Sequence, residues 1–378
     1  MSKCCAVVHI DALVTAELHG IIAAHSSALP RKRTCCMVRP VILDTDPGID
    51  DALAMLLAVA SPEVQLRGVS VTGGNCPLDA GVQNARAVLA LARQPGIPVL
   101  AGVAHPLLRP PFTAAETHGA SGLGYAVLPP SPAPVAHEHG VDFIIREIMA
   151  QPGEVTLVPV APLTNIAMAI RKAPEIVHAV RQVIIMGGAL RVDGNTTSLA
   201  EFNFFVDPHA AHIVLTSGMP ITLVPWDITV DVMLFQHHID RLQAIDSPVS
   251  RFIAAATRFY IEFHQASFGV AGCAINDPVA LALAFMPELA TTQMVRVDVE
   301  YTSELTMGKS VISYVGDTTH PPRDTDITGF DSTRWPATWR SMHRPVANVQ
   351  LVTAFDTSRF IELFIARMER LAQHIQAP

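Results

Sequence analysis

Charge and long apolar runs are both scarce in this chain of 378 residues. Charged residues make up 16% of it, and no hydrophobic run approaches the roughly 20 residues of a membrane-spanning helix. The formal net charge of −8 argues against nucleic acid or an anionic membrane as the main partner. Half of the residues are hydrophobic, so the chain can bury a large core.

Cysteine is also sparse, and its spacing argues against a zinc site. None of the six cysteines forms a Cys-x-x-Cys pair, and the adjacent pairs lack the spacing of zinc ligands. No segment combines a basic start with a clean apolar stretch, as a signal peptide would. We therefore expect free thiols and a cytoplasmic location. The cysteines are Cys4, Cys5, Cys35, Cys36, Cys76 and Cys273.

The first residues differ from the rest of the chain. Residues 1–36 hold two Cys-Cys pairs, scattered histidines and a basic Pro-Arg-Lys-Arg, without a periodic apolar face. We expect them to be a disordered extension that precedes a domain at 37–378. Within that domain, residues 316–346 are polar and contain prolines, which predicts a surface insertion.

From residue 41 onward, short apolar runs alternate with segments that favour helix. This alternation predicts an α/β fold: a single large domain with a mostly parallel, Rossmann-like sheet flanked by helices. A loop predicted at 102–140 is unusually long, and such loops are commonly functional. After the first strand, further strands are predicted at 66–72, 99–101, 155–160, 183–186, 221–224 and 348–354, with two more within 294–314.

The densest group of carboxylates lies in residues 41–54, which read VILDTDPGIDDALA. An apolar strand comes first, Pro-Gly breaks it, and a strong helix former follows. The acids therefore lie between the carboxyl end of a strand and the amino end of a helix, where open α/β sheets bind ligands. Four carboxylates this close repel one another unless a cation or hydrogen-bond donors offset them. They are Asp44, Asp46, Asp50 and Asp51.

Three other interpretations account for this stretch less well. A helix cap needs one acid and not four, although Asp50 could serve as one. A calcium loop of the EF-hand type needs glycine sixth and glutamate twelfth, where this chain has Ile49 and Met55. A phosphatase that uses the first Asp of an Asp-x-Asp pair as nucleophile is compatible with Asp44 and Asp46 but leaves the later acids without a role.

The stretch resembles the amino-terminal signature of the inosine-uridine preferring nucleoside hydrolases. Similar motifs follow in the same order over residues 40–315, and the resemblance resumes at the closing strand and helix. It implies a nucleoside hydrolase fold and a metal-dependent enzyme that cleaves the N-glycosidic bond of purine or pyrimidine ribonucleosides. It also implies a ribonucleoside as the small-molecule partner and assembly into a homodimer or homotetramer.

The resemblance assigns a calcium site to the acidic stretch. Asp46 matches a ligand that also serves as general base, and Asp51 and Asp277 match further ligands. The main-chain carbonyl of Val160 matches the remaining protein ligand. Such an all-oxygen set suits Ca²⁺. Asp50 matches the acid that binds ribose hydroxyls, and Asp44 is expected to hold the loop.

The resemblance also places substrate-binding residues on later loops. Glu201 and Asn203 match residues that hold the ribose, although a lone pair of this kind could equally lie on the surface. Met186 matches a residue packed under the sugar, or is an ordinary methionine of the hydrophobic core. Asn75 matches a residue near the sugar, or a turn asparagine. His118 matches a loop histidine near the nucleobase, or a solvated one.

One position departs from the family pattern. Many members carry histidine immediately before the acid that matches Asp277, and that histidine is implicated in protonating the departing base. Here the residue is Asn276, whose amide can donate a hydrogen bond but cannot act as a general acid. A catalytically weak nucleoside- or ribose-binding protein therefore stays an alternative. If the base is protonated by another residue, the candidates are His118, Tyr260 and His264.

Overall fold

The computed structural model describes residues 38–134, 136–314 and 346–376. The predicted extension at 1–36 lies outside the described residues, and so does the predicted insertion at 316–346 except for residue 346. Within the described ranges, no helix combines the length and apolar character needed to cross a membrane.

A mixed sheet of nine strands forms the centre of the fold, in the order β10-β9-β11-β6-β5-β4-β1-β2-β3. Neighbours from β11 to β3 pair in parallel, and β9 pairs antiparallel with both β11 and β10. The prediction of a large α/β domain with a mostly parallel sheet is confirmed. The strands are β1 (Arg39–Thr45), β2 (Val64–Val71), β3 (Val99–Ala101), β4 (Thr156–Pro159), β5 (Gln182–Met186), β6 (Ile221–Val224), β9 (Ala290–Val299), β10 (Ser310–Tyr314) and β11 (Val349–Phe355).

Helices cover both faces of the sheet. The helices are α1 (Ile49–Ala60), α2 (Leu78–Leu91), α3 (Ala115–His118), α4 (Gly140–Ala150), α5 (Thr164–Lys172), α6 (Ile176–Ala179), α7 (Phe202–Val206), α8 (Pro208–Leu215), α9 (Trp226–Thr229), α10 (Gln236–Gln243), α11 (Pro248–Phe268), α12 (Asn276–Leu283) and α13 (Thr357–His374). Helix α1 is buried from Ile49 to Ala58, which agrees with its uninterrupted apolar sequence. It packs between the sheet and helices α12 and α13.

The strand order changes direction at β1, and this locates the candidate site. From β1 the chain builds β2 and β3 on one side, and then returns to place β4 on the other side. Loops that leave β1 and β4 therefore diverge and open a crevice at the carboxyl ends of the strands, where such sheets bind ligands. The acidic stretch follows β1, and Val160 follows β4.

Two features were not predicted from the sequence. Strands β7 (Met233–Phe235) and β8 (Gly272–Ala274) pair antiparallel as a separate two-stranded ribbon. The sequences of these two short segments do not show a strand period, so neither was predicted as a strand. The long loop at 102–140 contains the short helix α3, which places His118 at the crevice. Strand β8 places Asn276 and Asp277 at the start of α12.

Candidate active site

Asp51 organises the loop between β1 and α1. One of its carboxylate oxygens accepts a hydrogen bond from the hydroxyl of Thr45. The other accepts from the backbone N–H of Gly48 at 2.9 Å and from Nδ2 of Asn75 at 3.0 Å. Asp51 thus satisfies a free backbone donor at the amino end of α1. The capping role considered for Asp50 belongs to Asp51.

Asp46 is buried and its two carboxylate oxygens differ in their partners. Oδ2 accepts a hydrogen bond from the backbone N–H of Asn75 at 2.6 Å, whereas Oδ1 is buried without a partner among the described residues. Gly74 makes this approach possible, since a Cβ there would lie 1.9 Å from Oδ2. A buried carboxylate oxygen without a donor is costly, so Oδ1 has acceptor capacity for a ligand.

Asp50 faces the opposite wall of the crevice. Its Oδ2 accepts a hydrogen bond from Nδ2 of Asn276 at 2.8 Å. Carboxylate oxygens of Asp50, Asp51 and Asp277 all lie within 4.8 Å of one another, and all three residues are buried. This group differs from the predicted ligands, which included Asp46 in place of Asp50.

The crowding of these acids raises their pKa values. Burial raises the pKa of Asp50 to about 6. Burial and then the charge of Asp51 raise the pKa of Asp46 well above its usual value. For Asp277 the causes are burial and then the charges of the three other acids. None of the ion pairs found in the described ranges involves these carboxylates.

The residues present suit a hard divalent cation. All ligand atoms in the group are carboxylate oxygens, and the nearby Oδ1 of Asp46 has no partner among the residues that the structure describes. Without a cation, the close carboxylates repel one another, and a bound cation would offset that repulsion and lower their pKa values. Oxygen ligands of this kind favour Ca²⁺, Mg²⁺ or Mn²⁺ over zinc.

Asn203 connects the ends of two strands at the floor of the crevice. Its Nδ2 donates to the carbonyl oxygens of Val160 and Met186 at 3.1 and 3.2 Å and contacts the sulfur of Met186 at 3.6 Å. The predicted metal-binding carbonyl of Val160 thus has one donor, and its second lone pair stays available. Met186 is 2% exposed and lines the cavity.

Glu201 is buried as the N-cap of α7. Oε1 accepts from the backbone N–H of Asn203 at 2.9 Å, and Oε2 accepts from those of Gly188 and Phe204 at 2.8 and 3.2 Å. Burial raises the pKa of Glu201 to about 7, although the three backbone donors lower it. The alternative of a surface position is wrong for both Glu201 and Asn203, which are 1% and 5% exposed.

Asp44 lies behind the site. Its Oδ1 accepts from Nδ2 of Asn165 at 2.8 Å, and the same amide reaches Oγ of Ser70 and the carbonyl of Val71. The carbonyl oxygen of Asn165 accepts from the backbone N–H of Val103 at 2.8 Å. This network joins β1, β2, α5 and the loop after β3, in keeping with a structural role for Asp44.

One end of the crevice, called the aromatic end, is formed by His118, Tyr260 and His264 with their neighbouring phenylalanines. His118 is 5% exposed there. Its Nδ1 accepts a hydrogen bond from the backbone N–H of Ile49 at 3.1 Å, so the proton of the neutral ring is on Nε2. Burial lowers the pKa of His118 to about 4. Gly48 leaves room for the ring, since a Cβ there would lie 2.7 Å from Nδ1. The alternative of a solvated loop histidine is therefore wrong.

Helix α11 supplies most of the aromatic end. The rings of Tyr260 and His118 lie 5.4 Å apart, and those of Tyr260 and His264 lie 4.5 Å apart. Phe263 and Phe268 extend the same face of the helix. Sequence reasoning missed these phenylalanines, although spacings of three, four and eight residues from Tyr260 indicate one helix face.

One cavity extends from the acids Asp50 and Asp277 to the rings of His118 and Tyr260, and all four residues line it. It brings together every predicted substrate-binding residue, with Val160 and Asp277, whereas Asp46 and Asp51 lie just behind its wall. Other lining residues were not assigned to the site from the sequence, because they lie in short helices and in the loop before α7, which are too short to show a period. They are Thr117, Asn195, Thr196, Phe202 and Trp226.

Comparison with known proteins agrees with this site. The family model of the inosine-uridine preferring nucleoside hydrolases matches residues 41–362. The inosine-uridine preferring nucleoside hydrolase of Crithidia fasciculata is 39% identical over 280 residues, covering 74% of this chain and 89% of the relative. The pyrimidine-specific ribonucleoside hydrolase RihA of a Shewanella strain is 39% identical over 297 residues, covering 78% of this chain and 93% of the relative.

Solved structures agree as well. A purine-preferring ribonucleoside hydrolase from Gardnerella vaginalis superposes with a TM-score of 0.78 at 32% identity, covering 89% of this chain and 100% of that one. A plant nucleoside hydrolase also gives a TM-score of 0.78, at 30% identity and with 88% and 99% of the two chains covered. The names of these relatives differ in the base that they specify.

Proposed function

Because the chain belongs to the family of inosine-uridine preferring nucleoside hydrolases, we propose that it cleaves the N-glycosidic bond of ribonucleosides with Ca²⁺ in the acidic site. The products are a free base and ribose. The observation that carries the proposal is the unpartnered Oδ1 of Asp46 beside the buried carboxylates of Asp50, Asp51 and Asp277. A general base and a cation site therefore adjoin one cavity that polar side chains help to line.

The acidic group would hold the ion. Asp46, Asp51 and Asp277 would bind it, with the carbonyl of Val160, and the structure adds Asp50 as a further oxygen donor within reach. When bound, the ion supplies positive charge that lowers the pKa of water and of the surrounding carboxyl groups. Asp46 is then ionised at neutral pH and can accept a proton.

Asp46 is the proposed general base. Its Oδ2 is fixed by the backbone N–H of Asn75, so Oδ1 is the atom left to take a proton from water. As the bond between C1′ and the base nitrogen breaks, positive charge develops on the ribose ring. The buried carboxylates around the sugar favour that charge more strongly in the transition state than in the substrate.

Asp50, Asn203 and Glu201 are the proposed ribose contacts. The Asp50 carboxylate retains acceptor capacity beyond its bond to Asn276, and the carbonyl oxygen of Asn203 accepts from none of the described residues, so both can accept from ribose hydroxyls. The Glu201 carboxylate is held by three backbone N–H groups and cannot rotate freely. A sugar bound among these groups is oriented for attack at C1′.

The relatives do not identify the preferred base. One is named for inosine and uridine, another for pyrimidines and a third for purines. Assembly into a homodimer or homotetramer and a cytoplasmic location likewise stay predictions.

The proposal is tested by ribose release from a panel of purine and pyrimidine ribonucleosides. We expect turnover that stops after treatment with a chelator and returns with Ca²⁺ more fully than with Mg²⁺ or Zn²⁺. Turnover that survives chelation would contradict the metal site. Tight binding of nucleosides without any turnover would favour the alternative of a nucleoside-binding protein.

A further inference from the structure

The aromatic end of the cavity has hydrogen-bond donors whose hydrogens none of the described residues accepts. The hydroxyl oxygen of Tyr260 accepts a hydrogen bond from Nδ2 of Asn276 at 3.4 Å. In the described ranges, no residue accepts the hydrogen of that hydroxyl. Tyr260 is 3% exposed and lines the cavity, so the hydrogen is available to a bound ligand.

Asn276 fixes this arrangement. Its amide must present Nδ2 to Asp50, because an ionised carboxylate can only accept hydrogen bonds. The same Nδ2 reaches the hydroxyl of Tyr260, which therefore acts as acceptor towards Asn276 and keeps its own hydrogen. Burial and then the charge of Asp50 raise the pKa of Tyr260 well above its usual value, so the hydroxyl stays protonated.

His118 has a second unused donor. Because Ile49 donates to Nδ1, the ring hydrogen is on Nε2, and none of the described residues accepts it. The ring centroids of His118 and Tyr260 are 5.4 Å apart, which is close enough for both donors to reach one flat ring system. Both ring nitrogens of His264, in contrast, have protein partners. Its Nδ1 lies 2.9 Å from the carbonyl oxygen of Tyr260, and its Nε2 accepts from the backbone N–H of Ala274 at 3.4 Å.

We propose that the hydroxyl of Tyr260 and Nε2–H of His118 form a paired neutral donor site that stabilises the departing nucleobase, with Asn276 positioning Tyr260. This inference rests on the proposed function. It deepens that function by defining the substrates as nucleosides whose base leaves as an anion. Hydrogen bonds stabilise that anion, so no imidazolium has to protonate the base.

In the proposed step, water replaces the base at C1′. The bond between C1′ and the base nitrogen breaks, and both of its electrons go to the base. Water attacks C1′, and Asp46 takes one proton of that water. Tyr260 and His118 keep their hydrogens and donate hydrogen bonds to the negative charge that develops on the base. After release, the base anion takes a proton from solvent, and Asp46 returns its proton to solvent.

The test compares two leaving groups in the variant Tyr260→Phe. Inosine and uridine carry bases that need stabilisation, whereas p-nitrophenyl ribofuranoside releases a stable phenolate without help. We expect kcat/KM for the nucleosides to fall on the order of 10²-fold, the effect of losing one donor to a developing anion. We expect kcat/KM for the phenyl riboside to change by no more than a few-fold.

Tyr125→Phe is the matched control. The hydroxyl of Tyr125 donates to Glu262 at 2.6 Å outside the cavity. Its removal should therefore leave kcat/KM unchanged for both substrates. Asn276→Ala and His118→Phe should also lower turnover of the nucleosides more than that of the phenyl riboside. These two variants keep the test decisive if Tyr260→Phe does not fold, which melting temperatures will show.

The outcomes separate the two proposals. If the wild-type enzyme cleaves neither nucleosides nor the phenyl riboside, the proposed function itself is wrong. If the wild type cleaves both and Tyr260→Phe lowers both equally, or changes neither, only the donor site is overturned. A loss confined to the nucleosides supports it.

Discussion

The two ends of the cavity are built in different ways. The acidic end holds Asp46, Asp50, Asp51 and Asp277. Most of it comes from loops that directly follow the parallel strands β1, β2 and β4, and the start of α12 adds Asp277. Backbone N–H groups fix the carboxylates of Asp46 and Asp51. The aromatic end comes from helix α11 and the short helix α3, which lie outside the sheet. The sheet thus positions most of the acidic end, whereas peripheral elements position the aromatic end, where the proposed function places the nucleobase.

This difference has a consequence for specificity. The acidic end depends on distances that the register of the strands sets, so small changes there would disturb several groups at once. Rings on one helix face can be exchanged with little effect on the sheet. Relatives named for different bases share this fold, which agrees with specificity determined at the aromatic end.

The largest effect should come from removing the general base at the acidic end. We expect Asp46→Asn to lower kcat by at least about 10²–10⁴-fold for nucleosides and for p-nitrophenyl ribofuranoside alike, because both need activated water. Steady-state kinetics of both substrates will measure this. The equal loss distinguishes the acidic end from Tyr260, whose replacement should affect only the nucleosides.

Asp79→Asn is the control for that variant. Asp79 is an exposed acid in the first turn of α2 and lies outside the cavity, so its replacement should leave kcat unchanged. Near-wild-type kcat in Asp46→Asn would remove Asp46 from the mechanism, and the comparison of the two ends would lose its chemical basis.

Sequence reasoning succeeded where one short segment carries several constraints. The strand, the break at Pro47 and Gly48 and the buried helix α1 could be predicted, because each follows from local patterns. Which carboxylates come together could not. The grouping of Asp50 with Asp277, 227 positions away, depends on how α12 packs against α1, which no local pattern contains.

The aromatic end shows the same limit more strongly. Tyr260 and His264 could be named as candidates, but not the hydrogen bonds that fix the protonation of His118 and His264. Those bonds depend on the amino end of α1 and on the ribbon of β7 and β8, which the sequence did not reveal. The described fold shows these contacts because it brings distant segments together.

The next largest effect is expected on the free energy of unfolding of the metal-free protein. Burial raises the pKa of Asp44 and of Glu201 to about 7 each, and it also raises those of Asp46 and Asp277 well above their usual value. The folded state therefore holds protons that the unfolded state releases near pH 4. Such groups stabilise the fold below pH 4, and that stability is lost as the pH rises through their folded pKa values.

Histidines oppose this trend only in the acidic range. Burial lowers the pKa values of His118 and His264, which adds stability as the pH rises towards about 6.5 and nothing beyond it. Between pH 6.5 and 8 the raised carboxyl groups should dominate. We expect the free energy of unfolding of chelator-treated protein to fall by about 1.4 kcal/mol per pH unit for each extra proton held.

Denaturant unfolding at several pH values will measure this trend. Added Ca²⁺ is the control: it binds ionised carboxylates, so its stabilising effect should grow as the pH rises. A free energy of unfolding that stays constant or increases from pH 6.5 to 8 in chelator would contradict the burial of protonated acids at the acidic end.

The smallest effect separates two neighbouring residues, Asp277 at the acidic end and Asn276 beside the aromatic end. Asp277→Asn removes a charged ligand, so we expect calcium affinity to fall at least about 10-fold, since affinity follows the ligand charge. Asn276→Ala removes a neutral amide that donates to Asp50 and Tyr260, so calcium affinity should stay nearly unchanged. Calorimetric titration of chelator-treated protein with Ca²⁺ measures both variants, and melting temperatures confirm that both are folded. Equal losses of affinity would show that Asn276 belongs to the acidic end, and the boundary between the two ends would then lie at Tyr260.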